Sequence, residues 1–218
     1  MMPNRGYDMT PTMYSPDGRI YQVEYALETV KRGTLAIGIM TKEGIVLAVE
    51  EKTRALQVEG ITQKIFQVDD HIGVAAAGYI PDARVQVDNA RYFSQSNKLT
   101  YDEPVDIETV AKHLADQNHQ FTQYSGVRPF GVALIIAGID RKGVNVYVID
   151  PSGTYNSYSA IAIGTGSDEV NEFLEKNYKD GLTTVSYTHL RAHETLRYRG
   201  LAGGGVKKRG GGGGGGGG

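Results

Sequence analysis

The sequence predicts an α+β domain in which two antiparallel sheets pack face to face, with helices on both outer sides. Three observations lead there. Candidate elements follow in the order helix, four strands, two helices, three strands, helix. The strand-like runs come in pairs joined by turn residues, Lys42-Glu43-Gly44, Asp69-Asp70 and Arg141-Lys142-Gly143, which makes the pairs antiparallel. The segments IVLAVEE and VNVYVID alternate only loosely between apolar and polar, as expected of strands covered on both faces.

Each element has its own signal. After a turn at Asp17-Gly18, residues 19–31 read as a helix, with Val23, Ala26, Leu27 and Val30 at helical spacing and Gly33 as its stop. Residues 34–40 and 45–51 form the first strand pair, and 64–68 and 72–77 the second. Pro81 suits a first helical turn, and that helix continues to about Asn97. Asp106 is placed to cap the next, whose Val110, Leu114 and Phe121 share a face. Strands are expected over 132–140, 144–150 and 155–164, the last after Pro151-Ser152-Gly153. Ser167 is expected to cap a final helix with Val170, Phe173 and Leu174 in register.

Bulk properties narrow the function. A chain of 218 residues can bury one good core, so one domain is the default. The net charge of −2 gives no reason to expect a nucleic acid or an anionic membrane as partner. Zero cysteines exclude disulfides and thiolate metal sites and agree with a reducing, cytoplasmic setting. The longest apolar run, 132–139, is far shorter than the ~20 residues that span a bilayer. His71, His113 and His119 lack metal-ligand spacing, and no glycine loop suits a phosphate, so neither metal nor cofactor is expected.

Residues 14–26, YSPDGRIYQVEYA, closely match the signature of proteasome α subunits. The resemblance runs from residue 6 to about 180 through KIFQVDDH, PDARVQVDNAR, YSGVRPFGVALIIAGID, DPSG and AIAIGTGS, and is nearest to the archaeal type. It implies the four-layer αββα sandwich of N-terminal-nucleophile hydrolases. It also implies a non-catalytic subunit of seven-membered rings that cap rings of proteolytic β subunits and control entry of unfolded protein. The helix at 19–31 would lie where a β subunit keeps its active-site cleft.

The family also supplies a rival. In β subunits a threonine after a glycine becomes the N-terminus by self-cleavage, and its amine serves as its own base. Here Gly33-Thr34 stands at that position, with Glu50 and Lys64 near the places of the acidic partner and the lysine. A β propeptide has no reason to be an amphipathic helix bearing the α signature, which favours the non-catalytic reading. A third reading, a free-standing binding module, predicts a monomer rather than a ring.

Site residues follow from the resemblance, position by position. Lys64 would line a pocket between neighbouring subunits and pair with the C-terminal carboxylate of an ATPase activator whose tail ends hydrophobic–tyrosine–any residue. Gly78 would leave room there for the activator backbone. Tyr7, Asp8, Pro16 and Tyr25 match the four residues that hold the gate open, although Met9 and Leu27 stand where arginines are common. Tyr124, Ser125, Gly126 and Val127, followed by Arg128, Pro129, Phe130 and Gly131, match the loop that lines the axial pore.

Residues 1–13 thus read as a gating tail and 14–185 as the domain. From about Ser186 the composition turns basic and aperiodic and closes in unbroken glycine. This stretch resembles the translation of a sequencing-library adapter followed by a homopolymer read. Residues 186–218 are therefore expected to be non-native or disordered, leaving the sandwich incomplete at its C-terminal end, with strands unpaired and folding impaired.

Overall fold

A computed structural model of the chain describes residues 6, 9–10, 12–51, 56 and 64–178, and the backbone of 201–207. Nine strands and four helices are present among these residues, in the order α1, β1–β4, α2, α3, β5–β8, α4, β9. Helix α1 spans Tyr21–Arg32 and carries Val23, Ala26 and Val30 inward. Strands β1 (Ala36–Met40) and β2 (Gly44–Glu50) form one hairpin, β3 (Ile65–Asp69) and β4 (Ile72–Gly78) another. The long pair α2 (Ile80–Tyr101) and α3 (Ile107–Gln123) precedes β5 (Val132–Asp140), β6 (Gly143–Ile149), β7 (Tyr155–Ser157) and β8 (Ala160–Ile163). Helix α4 is Ser167–Asn177, and β9 is Leu201–Lys207.

Two sheets result, ordered β8-β1-β2-β9 and β3-β4-β5-β6-β7, with every pair antiparallel. Between them lies a core of Ile45, Leu47, Val49, Ala75, Ala77, Ala133, Ile135, Ala137 and Val146. The outer face of the five-stranded sheet packs against α2 and α3 through Val74, Val87, Ile107, Leu114, Leu134 and Ile136. Helix α4 closes the other side, with Leu174 on Ile39 and Ala162. The layers are α, β, β, α, as expected. Near-continuous burial along β2, β4 and β5 explains why their sequences do not alternate.

Three expectations need correction. The run 155–164 is two strands: β7 pairs with β6, whereas β8 crosses to the other sheet and pairs with β1. No periodicity marks that change of sheet. Strand β6 is covered throughout only at Val146 and Ile149, because it lies towards the sheet edge. Helix α4 begins after Gly166, whose φ of 74° takes the N-cap position expected of Ser167. Leu201–Lys207 runs antiparallel to β2 with Leu47 opposite Gly204. An extended segment there satisfies the edge N–H and C=O groups of β2 that would otherwise be open.

The helix ends are set by tertiary contacts. Asp106 occupies the N-cap of α3, yet its side chain makes no cap bond and pairs with Lys142 at 3.4 Å. The Ile107 N–H donates instead to Asp140 Oδ2, at the end of β5, at 3.1 Å. Helix α1 stops at Gly33 in extended backbone, φ −67° and ψ 150°, so no left-handed cap is involved. A Cβ there would come within 2.7 Å of Gly78 Cα and closer still to its nitrogen. Glycine is required by that close approach rather than by backbone freedom.

Candidate functional site

One end of the sandwich gathers most of the residues singled out in the sequence. The α1–β1 junction, the start of β3, the end of β4, the loop 124–131 and the β8–α4 turn converge there. Gly33 backs onto Gly78, and Gly78, with φ 119°, backs onto the Gly131 carbonyl and Val132 Cα. Three chain passages thus touch with no side chain between them. The Tyr79 N–H donates to the Gly131 carbonyl at 2.8 Å, joining α2 to the foot of the loop.

Thr34 sits inside this junction. Its Oγ1 donates to the Glu50 carbonyl at 2.9 Å, and Lys64 Nζ donates to the Thr34 carbonyl at 3.3 Å. The Glu50 carboxylate accepts from the Leu35 N–H at 3.4 Å. Thr34, Glu50 and Lys64 are therefore brought together. However, the Gly33 carbonyl, which a self-cleaving hydroxyl would attack, accepts from the Thr165 N–H at 2.7 Å and Thr165 Oγ1 at 2.8 Å. Gly164 closes over Thr34 so tightly that an added Cβ would lie 2.7 Å from its carbonyl oxygen. Helix α1 lies against β4 and β5, and Val30 enters the inter-sheet core. The threonine is held as a structural knot under a folded lid, its hydroxyl engaged away from the Gly33 carbonyl.

Lys64 and Gly78 both lie at this junction. Lys64 is partly buried and joined to β4 through its carbonyl, which accepts from Ala76 N–H at 2.9 Å. The missing side chain of Gly78 has an intramolecular reason, the passage of Gly131 and Gly33 on its two sides.

The loop between α3 and β5 has an exposed tip and an anchored foot. Tyr124, Ser125, Gly126 and Val127 are exposed, and Gly126 turns the chain with φ 87°. Arg128 forks onto Asp82 through Nη1 at 2.6 Å and Nη2 at 2.8 Å, and the Gly131 N–H donates to Asp82 Oδ2 at 2.9 Å. The bond to Asp82 raises the Arg128 pKa above its already high ordinary value. Pro129 is buried, and Phe130 packs on Phe121 with centroids 4.5 Å apart, a contact worth about 0.5–1.5 kcal/mol beyond area burial.

Of the four gate residues, Tyr7 and Asp8 lie outside the described residues. Pro16 is exposed in a tight turn where the Gly18 N–H donates to the Ser15 carbonyl at 2.9 Å. Tyr25 is exposed on α1 with its ring stacked along Tyr21 at 6.4 Å. Met9 is exposed, whereas Leu27 is half-buried on α1. Asp82, Tyr79 and Thr165 were missed by sequence reasoning. Asp82 lies within a quoted motif, PDAR, but nothing local pairs it with an arginine 46 residues away.

The three described histidines all have partners: His71 with the Val105 carbonyl, His113 stacked on Phe93, His119 with Gln123. No group of three metal-ligating side chains occurs among the described residues, and none of their helices is long and apolar enough to cross a membrane.

An αββα sandwich with a threonine just before its first strand, closed by a preceding helix, belongs to the N-terminal-nucleophile hydrolase class of fold. The family model described as "Proteasome subunit" matches residues 30–193, and the model of the N-terminal signature of A-type proteasome subunits matches 7–28. The chain is 49% identical over 183 residues to the proteasome alpha subunit of Archaeoglobus fulgidus, covering 84% of this chain and 74% of that one. The proteasome alpha subunit of Methanocaldococcus jannaschii is 49% identical over 185 residues, covering 84% and 70% of the two chains. That of Saccharolobus islandicus is 50% identical over 180 residues, covering 82% and 74%. The chain belongs to the proteasome subunit family, as a non-catalytic α-type member of the core complex. Its kind assembles with further α subunits and with the β subunits that carry catalysis.

Proposed function

We propose that this subunit forms the entrance of the core, in a seven-membered ring whose pore admits unfolded protein and excludes folded domains by size. The observation that carries this reading is the loop 124–131, with an exposed tip on a foot anchored by the buried carboxylate of Asp82. A size filter needs loops that project and keep their shape, and this loop does both. Residues 1–13 act as the gating tail, with Tyr7 and Asp8 meeting Pro16 and Tyr25 in the open state. The outward stacking of Tyr25 on α1 and the exposure of Pro16 support that role. The domain proper is 14–185, followed by a tail, 186–218, of non-native sequence whose residues 201–207 extend along β2.

Lys64 and Gly78 form the pocket for the activator's terminal carboxylate, next to a neighbouring subunit. Lys64 stands at the same junction as Gly78, its Nζ donating to the Thr34 carbonyl at 3.3 Å, and a lysine ammonium is a point-charge partner suited to a terminal carboxylate. Work in the cytoplasm, on unfolded substrates delivered by an ATPase, completes the proposal.

Reconstitution with proteasome β subunits tests it. Ser125→Trp, which adds bulk at the exposed tip, is expected to slow degradation of an unfolded protein while leaving hydrolysis of a short peptide nearly unchanged. Equal effects on both substrates, or none on either, would remove the loop from the pore. Lys64→Ala is expected to abolish stimulation by a peptide ending hydrophobic–tyrosine–any residue; stimulation that survives it would place the pocket elsewhere.

A further inference from the structure

We infer that Asp82 is the positioning residue that sets the aperture of the pore loop, a role that rests on reading 124–131 as pore-lining. Among the described residues Asp82 is the one buried carboxylate, 7% exposed. All three donors that reach it come from the loop: Arg128 Nη1 at 2.6 Å, Arg128 Nη2 at 2.8 Å and the Gly131 N–H at 2.9 Å. Arg128 Nη1 also donates to the Pro129 carbonyl at 3.1 Å, and the guanidinium lies 5.5 Å from the Tyr79 ring centroid. One carboxylate thus holds both ends of the segment 128–131, while the Tyr79 ring and Pro129 carbonyl fix the arginine between them.

The chemistry makes this contact close to all-or-none. A carboxylate this buried is costly without partners, so losing the guanidinium would leave an uncompensated charge rather than a loosened bond. The bidentate fork also fixes orientation, which a single ammonium contact does not. Asp82 stands in the first turn of α2, on an element packed against β3, β4, β5 and α3, so the anchor itself is rigid. The free part of the loop is then only 124–127. In a ring every copy repeats the clamp, so slackening it changes all the loops together.

Hydrogen exchange across residues 124–131 and size-resolved degradation in particles reconstituted with proteasome β subunits test this together. Asp82→Asn removes the charge and keeps an acceptor for Gly131, Asp82→Ala removes both, and Arg128→Gln breaks the fork from its exposed side. Each is expected to speed exchange of the loop about tenfold or more, the change that losing a charge-assisted hydrogen bond brings to a local opening equilibrium. In the particle, each should raise degradation of a bulky, loosely folded protein relative to a short peptide, and Asp82→Glu should restore part of the wild-type ratio. Unchanged loop protection in Asp82→Asn and Arg128→Gln overturns the inference. So does faster exchange with an unchanged substrate ratio while Ser125→Trp still alters it. If neither Ser125→Trp nor the Asp82 variants alter the ratio, the pore reading falls, and the aperture role with it. Arg128→Gln keeps the test open should Asp82→Ala fail to fold.

Discussion

Gly33 shows how much a single residue can carry in this chain. It ends α1, passes against Gly78, and its carbonyl is held by two donors from Thr165. A methyl group at Gly33 meets backbone, which cannot rotate away, so the strands or α1 must shift. Gly33→Ala is expected to cost about 1–3 kcal/mol, as overpacking of a close contact does. A urea-unfolding midpoint lowered at unchanged slope would show it, and a wild-type midpoint would mean the junction is looser than described. Thr34 beside it is occupied differently: its hydroxyl serves the Glu50 carbonyl, which ties the α1–β1 junction to the end of β2.

Among the elements, the α2–α3 pair is where pH acts on stability. His113 on α3 lies flat on Phe93 of α2, with centroids 4.0 Å apart and planes 7° apart. Burial lowers its pKa below the ordinary value, with Asp116 opposing. The folded state therefore binds the proton less readily than the unfolded chain. Stability from this group is complete above the unfolded pKa of about 6.5 and is lost as pH falls through the depressed folded value. His113→Phe preserves the stack and removes the titration. The wild type is expected to lose more stability than this variant between pH of about 7.5 and about 5.5, measured as the urea midpoint. Parallel losses in both proteins would show that other groups govern the acid limb. The same helices carry a polar link through their interface, from Gln86 to Asn118 at 2.7 Å and on to the Asp150 carbonyl at 2.8 Å. That link holds the β6–β7 turn to the helix pair.

For the whole molecule, the lid over Thr34 separates a non-catalytic subunit from a protease. With α1 folded across the end of the sandwich and Val30 in the inter-sheet core, removing the first 33 residues would expose apolar surface and break the hold on Gly33. Protein co-assembled with β subunits is expected to keep every residue that precedes Thr34, and Thr34→Ala is expected to leave peptide hydrolysis by the particle unchanged. Intact mass and a hydroxyl-reactive probe check both. A chain beginning at Thr34 and carrying the probe would move this protein to the catalytic side.

The class of fold is legible in the amino-acid sequence, because antiparallel hairpins and amphipathic helices write their period and turns locally. So is the α-type assignment, through the signature that becomes α1 and the turn before it. Gly33, Thr34, Lys64, Gly78 and the loop 124–131 are also singled out there. What those residues do to one another is a product of packing. The crossing of β8 into the other sheet, the capping of α3 by Asp140 and the three-glycine contact join residues distant in the chain. So does the clamp of Asp82 on Arg128 and Gly131. Local propensity is blind to such pairings: they exist only after two sheets have packed and brought separate chain passages within a hydrogen bond of each other.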